Sequence, residues 1–207
     1  MTLSERLSQA LAKIRGVLPS GDSLGLLQSK GGRRAVIAAV TIYLALSLGL
    51  GFYWSMTPDS FDVLENRAKY LKSSDQSVTG AATTAALLEV TRLLLEKDGG
   101  YISNDITPPG TFLDNMPNWE YGALIQSRDL ARALREVLSR SQSQSQEDVD
   151  LTLAEPRINF QNSSWALPAT ESEYRDARRY LQAYLDRLPK SGEDSAQFYA
   201  RADNLSF

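Results

Sequence analysis

The chain has no cysteine and no histidine among its 207 residues. Without cysteine there are no disulfides, thiolate nucleophiles or cysteine-containing metal sites. Without histidine there is no Ser-His-Asp or Cys-His catalysis, and the imidazole ligands of zinc and iron enzymes are missing. We therefore expect no metal and no cofactor, and any catalysis would depend on carboxylates, lysine, serine, tyrosine or arginine.

The charged residues are distributed unevenly along the chain. Residues 1–34 contain six Lys/Arg against two Asp/Glu, whereas residues 55–207 contain 16 Lys/Arg against 23 Asp/Glu. The larger part of the protein is thus acidic. Binding to duplex DNA requires a basic surface, so we expect no nucleic-acid partner.

Residues 35–54 separate these two parts and read AVIAAVTIYLALSLGLGFYW, with no charged residue. A helix of about 20 residues, rising ~1.5 Å per residue, spans the ~30 Å hydrocarbon core of a bilayer. Arg33 and Arg34 flank the segment on one side, and Phe52, Tyr53 and Trp54 end it on the other, as residues at a membrane interface do. The sequence predicts one transmembrane helix over residues 35–54.

Two other interpretations of this segment stay open, a buried core helix of a soluble protein and a cleavable signal peptide. The long basic leader and the bulky Phe-Tyr-Trp end favour an uncleaved signal-anchor. The basic residues precede the span, so the positive-inside rule places the N-terminus in the cytoplasm. In a bacterium, residues 55–207 would then lie in the periplasm.

Residues 1–34 begin with an amphipathic pattern in which Leu3, Leu7, Ala10 and Ile14 recur at helical spacing. We predict that these residues form a cytoplasmic arm followed by a flexible connector. The apolar stripe would either lie on the inner membrane surface or dock onto a partner helix.

Helical periodicity also predicts a mainly α-helical, bundle-like domain over residues 55–207, with Thr57 and Thr170 as N-caps of two of its helices. Residues 141–150, which include the run SQSQSQ, are predicted to be a polar linker. Residues 151–169 are predicted to be a short strand or an extended strap. The predicted helices cover about 57–71, 79–97, 118–140 and 170–188, with a last helix from 194 that the end of the chain leaves incomplete.

The long loop YISNDITPPGTFLDNMPNWE, residues 101–120, contains the candidate site residues. Asp105, Asp114 and Glu120 could supply the two carboxylates that flank the bond in glycoside hydrolysis. The binding candidates are Asn104, Asn115, Asn118 and Trp119, of which Trp119 could stack on a sugar. The alternative is purely architectural, since turns and helix entries need Asx residues and prolines, and Trp119 can anchor a core.

Three weaker patterns involve other charged residues. Lys97 stands in a polar stretch, which does not favour Ser/Lys catalysis. The face formed by Arg128, Arg132 and Arg135 predicts a solvated surface that pairs with neighbouring acids. Asp148 and Asp150 lack the spacing of an EF-hand calcium loop.

Several stretches of the sequence resemble a known family, namely GGYISNDITPPGTFLDNMPNWEYG, SRSQSQSQEDVDL and QFYARADNL. The family is an uncharacterised group of single-pass inner-membrane proteins from gammaproteobacteria, and the resemblance extends from the span to Leu205. It implies a periplasm but no established activity, cofactor or catalytic residue. It also implies that family members continue beyond Leu205, so we expect this chain to be a C-terminally truncated member.

Together these features predict a non-enzymatic binding or scaffolding module of the cell envelope, anchored in the inner membrane. Its expected partners are the lipid bilayer and either another protein or a second copy of the chain. One alternative is a periplasmic glycan-acting hydrolase that uses the loop carboxylates. Another is a self-associating helical assembly protein that uses the apolar stripe of residues 174–188 and the N-terminal arm.

Overall fold

The computed structural model describes residues 29–73, 77–140 and 146–201, which form six α-helices and no strand. A 3-10 turn, Gly110–Phe112, precedes the fourth helix, and a π-helical turn, Leu134–Leu138, continues it. The helical fold class predicted from the sequence is therefore confirmed. The helices are α1 Lys30–Trp54, α2 Val63–Tyr70, α3 Ala81–Glu96, α4 Asn115–Ala133, α5 Val149–Ile158 and α6 Thr170–Arg187.

Helix α1 is long enough and apolar enough to cross a membrane. It ends at Trp54, as the sequence predicts, and begins at Lys30, ahead of the predicted start. Only 11% of its most apolar stretch is buried, whereas the core helix of a soluble protein is mostly buried. The length and composition of α1 fit a membrane anchor and also a signal sequence.

The chain divides into two compact units, Met1–Gly49 and Leu50–Phe207. In the second unit, α3 packs on α4, α4 on α5, α5 on α6, and α6 on α3, which closes a ring of four helices. Helix α2 packs against α3. The predicted boundaries of the arm, span and domain are not tested by this division and stay a prediction.

The helices of the ring run alternately up and down. The end of α3 meets the start of α4 through Lys97 and Glu120, and the end of α6 meets the start of α5 through Arg187 and Asp148. The connections 97–114 and 159–169 therefore lie at the same end of the bundle, which we call the loop end. The opposite end, formed by residues 139–140, 146–148 and 188–199, is called the far end.

Apolar residues spaced three or four apart build the core because this spacing aligns them on one face of a helix. In α6 these residues are Tyr174, Ala177, Leu181 and Tyr184, each at most 2% exposed. Full burial of a leucine such as Leu181 contributes about 1.5–3 kcal/mol. The stripe predicted for self-association is thus part of the domain's own core.

Helix α2 begins later than predicted. Asp62, not Thr57, is its N-cap, and the Asp62 carboxylate accepts hydrogen bonds from the backbone N–H groups of Leu64 at 2.9 Å and Glu65 at 2.8 Å. A carboxylate at this position also interacts favourably with the helix dipole. The predicted start at Thr57 is therefore wrong.

The prediction of a strand or extended strap over 151–169 is wrong for its first half, which is helix α5. The Asp148 carboxylate caps α5 by accepting from the N–H groups of Asp150 at 3.0 Å and Leu151 at 3.3 Å. Leu151, Ala154 and Ile158 are buried on one face of the helix. The end of the predicted linker thus belongs to the bundle, whereas residues 141–145 lie outside the described residues.

The predicted last helix is not present over residues 194–201. This segment is held in a non-helical path because the Tyr199 N–H donates to the Leu138 carbonyl and the Tyr184 hydroxyl to the Gln197 carbonyl, both at 2.7 Å. The remainder of that helix, residues 202–207, and the N-terminal arm, residues 1–28, lie outside the described residues.

Candidate functional site at the loop end

Glu120 has no exposed surface and pairs with Lys97, whose side chain is 3% exposed. The Glu120 carboxylate also accepts hydrogen bonds from the backbone N–H groups of Ile102 and Ser103, both at 2.8 Å, and from the Ser103 hydroxyl. Lys97 donates a second hydrogen bond to the Gly100 carbonyl. The contacts of Glu120 fasten the turn after α3 to the first part of α4, and the bond between Lys97 and Gly100 closes that turn, which is the role of a structural ion pair.

Asn104 and Tyr101 join the two loops of the loop end. The Asn104 side-chain amide donates to the Ser164 carbonyl and to the Glu171 carboxylate, each at 2.9 Å. The Tyr101 hydroxyl donates to the Asn162 carbonyl at 3.0 Å. Burial raises the pKa of Tyr101 well above its ordinary value, so its hydroxyl stays a hydrogen-bond donor at neutral pH.

Thr170 secures the second loop to α6. It was predicted as an N-cap, but Ala169 occupies that position and makes no side-chain cap. Thr170 is fully buried, and its hydroxyl donates to the Gln161 carbonyl at 2.7 Å and accepts from the Ser164 N–H at 3.1 Å. The predicted N-cap at Thr170 is therefore wrong, because the Thr170 hydroxyl binds the preceding loop.

The other acidic candidates lie in different surroundings. Asp105 is half-buried against Gly110, and its pKa is raised by burial and by the charges of Glu120 and Glu171. Asp114 occupies the N-cap position of α4, is exposed, and makes no side-chain cap hydrogen bond. Since Glu120 is enclosed and already bound by several donors, a substrate would have to break the Lys97 pair to reach it.

The residues predicted to bind a ligand also differ in their burial and hydrogen bonding. Asn115 donates from its side-chain amide to the Ser55 carbonyl at 3.0 Å. Trp119 packs against the hydrophobic core, so its ring is partly covered by the protein itself. Asn118 is exposed. Asn115 and Asn118 are thus exposed on the first turn of α4, whereas Asn104 is buried between the two loops. The hydrolase stays a prediction.

Lys97 was not identified from the sequence as the ion-pair partner of Glu120. It was assigned to a polar stretch, but it is the buried partner of Glu120. The spacing of Met116, Glu120 and Leu124 contained the signal, because Glu120 stands on the buried stripe of α4. A carboxylate in an apolar stripe requires a cation nearby, and Lys97, just past the end of α3, was available.

The last turn of α1 belongs to the same compact unit as the bundle and packs on the first loop. A β-carbon placed on Gly51 would lie 3.5 Å from the Pro109 β-carbon. One placed on Gly99 would lie 2.7 Å from the Trp54 ring, so the ring covers the glycine closely. With the bond between Asn115 and Ser55, these contacts place the end of α1 at the loop end.

The remaining charge clusters join helices to each other. Arg135 pairs with Glu147 at 3.0 Å and Glu155 at 2.9 Å. Arg128 donates to the carbonyls of Ile158 at 3.0 Å and Phe160 at 2.7 Å, at the end of α5. The prediction of a solvated face that pairs with acids is therefore wrong for Arg128, which binds backbone carbonyls. Arg135 is partly exposed and does pair with acids, although these acids lie in α5 and just before it.

Asp148 and Asp150 both pair with Arg187, each at 2.6 Å. Within the described ranges, no group of three or more acidic side chains is arranged to hold a metal ion.

These features define a class of protein, a helical bundle that follows an apolar helix near the N-terminus. The chain matches DUF2333, described as an uncharacterized protein conserved in bacteria, over residues 27–207, and it belongs to that family. The resemblance seen in the sequence is thereby confirmed as membership of a bacterial family. No curated protein and no solved structure matches the chain.

Proposed function

We propose that the chain is a bitopic protein of the bacterial inner membrane, with its N-terminus in the cytoplasm and its helical domain in the periplasm. The exposed apolar surface of α1 is the observation that carries this proposal. Ile37 is 58% exposed, Leu46 62% and Leu48 76%. Exposed leucine and isoleucine along a whole helix are unfavourable in water and favourable in lipid.

The periplasmic domain acts in this proposal as a binding or scaffolding module of the cell envelope. This proposal is supported by the buried polar side chains of the domain. Glu120, Asn104 and Arg187 all bind other helices or loops of the same domain. A rigid bundle of this kind presents surfaces, whereas catalysis needs polar groups that can reach a substrate.

Reporter fusions test the topology. Alkaline phosphatase fused after Phe207 is active only in the periplasm, and green fluorescent protein fused there is fluorescent only when it folds in the cytoplasm. We expect an active phosphatase and a dark fluorescent protein. The opposite pair of results, at equal expression, would reverse the orientation.

An N-terminal epitope tag distinguishes an anchor from a signal peptide. An anchor keeps the tag and the domain on one polypeptide, which resists extraction from membranes by alkaline carbonate. Removal of the leader separates the tag from the domain on an immunoblot and releases the domain into the soluble fraction, which would overturn the anchor.

Binding is tested by cross-linking in membranes followed by purification of the full chain. A chain reduced to residues 1–62 is the control, since it keeps the membrane segment and lacks the bundle. We expect a protein that is captured reproducibly by the full chain and not by the control. If purified domain instead cleaves glycan strands, and Asp105→Asn abolishes the cleavage without unfolding the domain, the hydrolase replaces the scaffold.

A further inference from the structure

Four large apolar side chains are exposed on the two loops of the loop end. Ile106 is 62% exposed and Phe112 is 72% exposed on the first loop, and Trp165 is 63% exposed and Leu167 99% on the second. The Asn104 bond to the Ser164 carbonyl holds the two loops next to each other. The four side chains therefore belong to one end of the bundle rather than to scattered surface positions.

Leu167 shows that this exposure is imposed by the backbone. Its φ of 44° lies in the left-handed region, which leucine rarely adopts. The Ser164 hydroxyl donates to the Pro168 carbonyl at 2.8 Å, and this hydrogen bond closes the turn that contains Leu167. Leu167 is thus a fully exposed apolar residue held in a strained backbone conformation. The stability of the fold does not require this combination.

The same end of the bundle receives the last turn of α1, through the contacts of Gly51 with Pro109 and of Trp54 with Gly99. A bilayer crossed by α1 would end at this turn, next to the first loop. The first loop thus lies where a spanning helix leaves the lipid, and the second loop is joined to it through Asn104.

The composition of the loop end also suits lipid. The two connections of the loop end, 97–114 and 159–169, contain Lys97 as their single Lys or Arg, and Lys97 is buried in its pair with Glu120. The loops therefore offer no exposed basic side chain of their own with which to recognise an acidic partner or a nucleic acid. Aromatic and aliphatic side chains, with Trp among them, are the residues enriched where a protein meets the interfacial layer of a bilayer.

We propose that the loop end is a membrane-contacting surface, in which Ile106, Phe112, Trp165 and Leu167 enter the interfacial layer of the leaflet from which α1 emerges. This inference rests on the proposed span. It adds a second, peripheral contact that holds the bundle against the membrane, so that the far end of the bundle points away from the lipid and is the surface left for partners.

Spin labelling tests the contact, and the absence of cysteine in the chain allows single labels without background. Phe112→Cys and Leu167→Cys carry the label at the loop end. Val149→Cys is the matched control, because Val149 is an apolar residue at the far end with 63% exposure. Leu46→Cys, within α1, reports the span itself. Each full-length variant is reconstituted in phosphatidylcholine vesicles, and its fold is checked by circular dichroism.

The readout is the ratio of collisions with oxygen, which concentrates in lipid, to collisions with a water-soluble nickel chelate. We expect this ratio to be several-fold higher at positions 112 and 167 than at 149, and insensitive to salt because the contact is apolar. Labels at 112 and 167 that match the label at 149 would overturn the membrane contact. Labels shielded from both reagents would overturn it too, since they would indicate a second copy of the chain on this surface.

The label at position 46 separates the two proposals. A high ratio at 46 with a low ratio at 112 and 167 leaves the anchor in place and removes the peripheral contact. A low ratio at position 46 would contradict the transmembrane anchor. It would also contradict the membrane contact of the loop end, because that proposal rests on the anchor.

Discussion

Lys97 and Glu120 form a charge pair that is closed off from water, with side-chain exposures of 3% and 0%. Burial of two charges costs several kcal/mol per ion, and the pair is tolerated only when the remaining lone pairs are satisfied. The N–H groups of Ile102 and Ser103 meet this condition. At the scale of single residues, the loop end is therefore organised around one carboxylate.

Glu120→Gln keeps the shape of the side chain and leaves the Lys97 ammonium buried without a counter-ion. We expect the free energy of unfolding to fall by about 3–5 kcal/mol. Urea unfolding of the full chain in mild detergent, followed by near-ultraviolet circular dichroism, measures the loss. Glu136→Gln is the control, because Glu136 is an exposed glutamate on the continuation of α4, and its effect should stay within about 0.5 kcal/mol.

The double variant Lys97→Met, Glu120→Leu removes both charges and should still not regain full stability. The N–H groups of Ile102 and Ser103 lose their acceptor, at a cost of about 1–3 kcal/mol for a buried group left unsatisfied. A double variant as stable as the natural chain would contradict the structural role assigned to this carboxylate.

Glu89 should make the stability of the domain depend on pH in the acidic range. It accepts hydrogen bonds from Arg92 at 2.7 Å, from the Tyr70 hydroxyl at 2.8 Å and from Lys69 at 3.2 Å. Arg92 foremost, then Tyr70 and Lys69, lower the pKa of Glu89 from 4.5 to about 2. The folded state thus favours the ionised form, so this stabilisation is complete above pH 4.5 and is lost as the pH falls towards 2.

Glu89→Gln tests the linkage. At neutral pH we expect a loss of about 2–3 kcal/mol, and between pH 5 and 2 a smaller further decline than in the natural chain. Unfolding in urea across that pH range measures both. Glu96→Gln on the same helix is the control, since Glu96 is 52% exposed and should change little. Parallel pH profiles for Glu89→Gln and the natural chain would rule out this source of acid sensitivity.

At the scale of elements, Asp148 starts α5 and also connects it to α6. Its carboxylate caps the helix and pairs with Arg187 at 2.6 Å. Asp148→Ala should cost about 1 kcal/mol for the cap and more for the loss of one of the two carboxylates that Arg187 binds. Asp148→Asn retains the cap and loses the charge, so it should cost less. Hydrogen exchange at Leu151 and Thr152 locates the effect, and equal exchange rates in the two variants would refute the capping role.

The elements that were predicted well are those with an uninterrupted apolar stripe. Helix α6 shows Tyr174, Ala177 and Leu181 at helical spacing and was placed within a residue of its observed end. Helix α5 was missed because Pro156 lies inside it and Ala154 was not recognised as a core position. The segment 194–201 was predicted as a helix because its local pattern is helical, but Phe198, packed over Gly80, fixes it in a non-helical path.

The roles proposed for Asp105, Asp114 and Glu120 stay predictions. The polar stretch 101–120 does contain Glu120 together with its hydrogen-bond donors Ile102 and Ser103. Whether Glu120 faces solvent or the core depends on which side of α4 meets α3 and α5, and that is decided by packing between segments that are distant in the sequence. A pair such as Lys97 and Glu120 is visible in one sequence only after the helices have been placed.

At the scale of the whole molecule, the charges before α1 should determine which side of the membrane receives the bundle. In the triple variant Lys30→Glu, Arg33→Glu, Arg34→Glu, the positive charge next to the span is removed, and we expect a fall in periplasmic phosphatase activity and a rise in cytoplasmic fluorescence. The variant Lys30→Arg, Arg33→Lys, Arg34→Lys keeps the charge and serves as the control. Unchanged reporters in the acidic variant would mean that other features determine the orientation.

The ring of helices also has a consequence for folding during synthesis, when the N-terminal helices leave the ribosome first. Helices α3, α4 and α5 can each pack on their predecessor as they appear, and such local contacts form quickly. The face of α3 that belongs to α6 stays uncovered until residues 170–187 have followed. During this interval the core side of α3 lacks the part of its cover that α6 provides. The domain is consequently most exposed to aggregation and to chaperones just before its last long helix arrives.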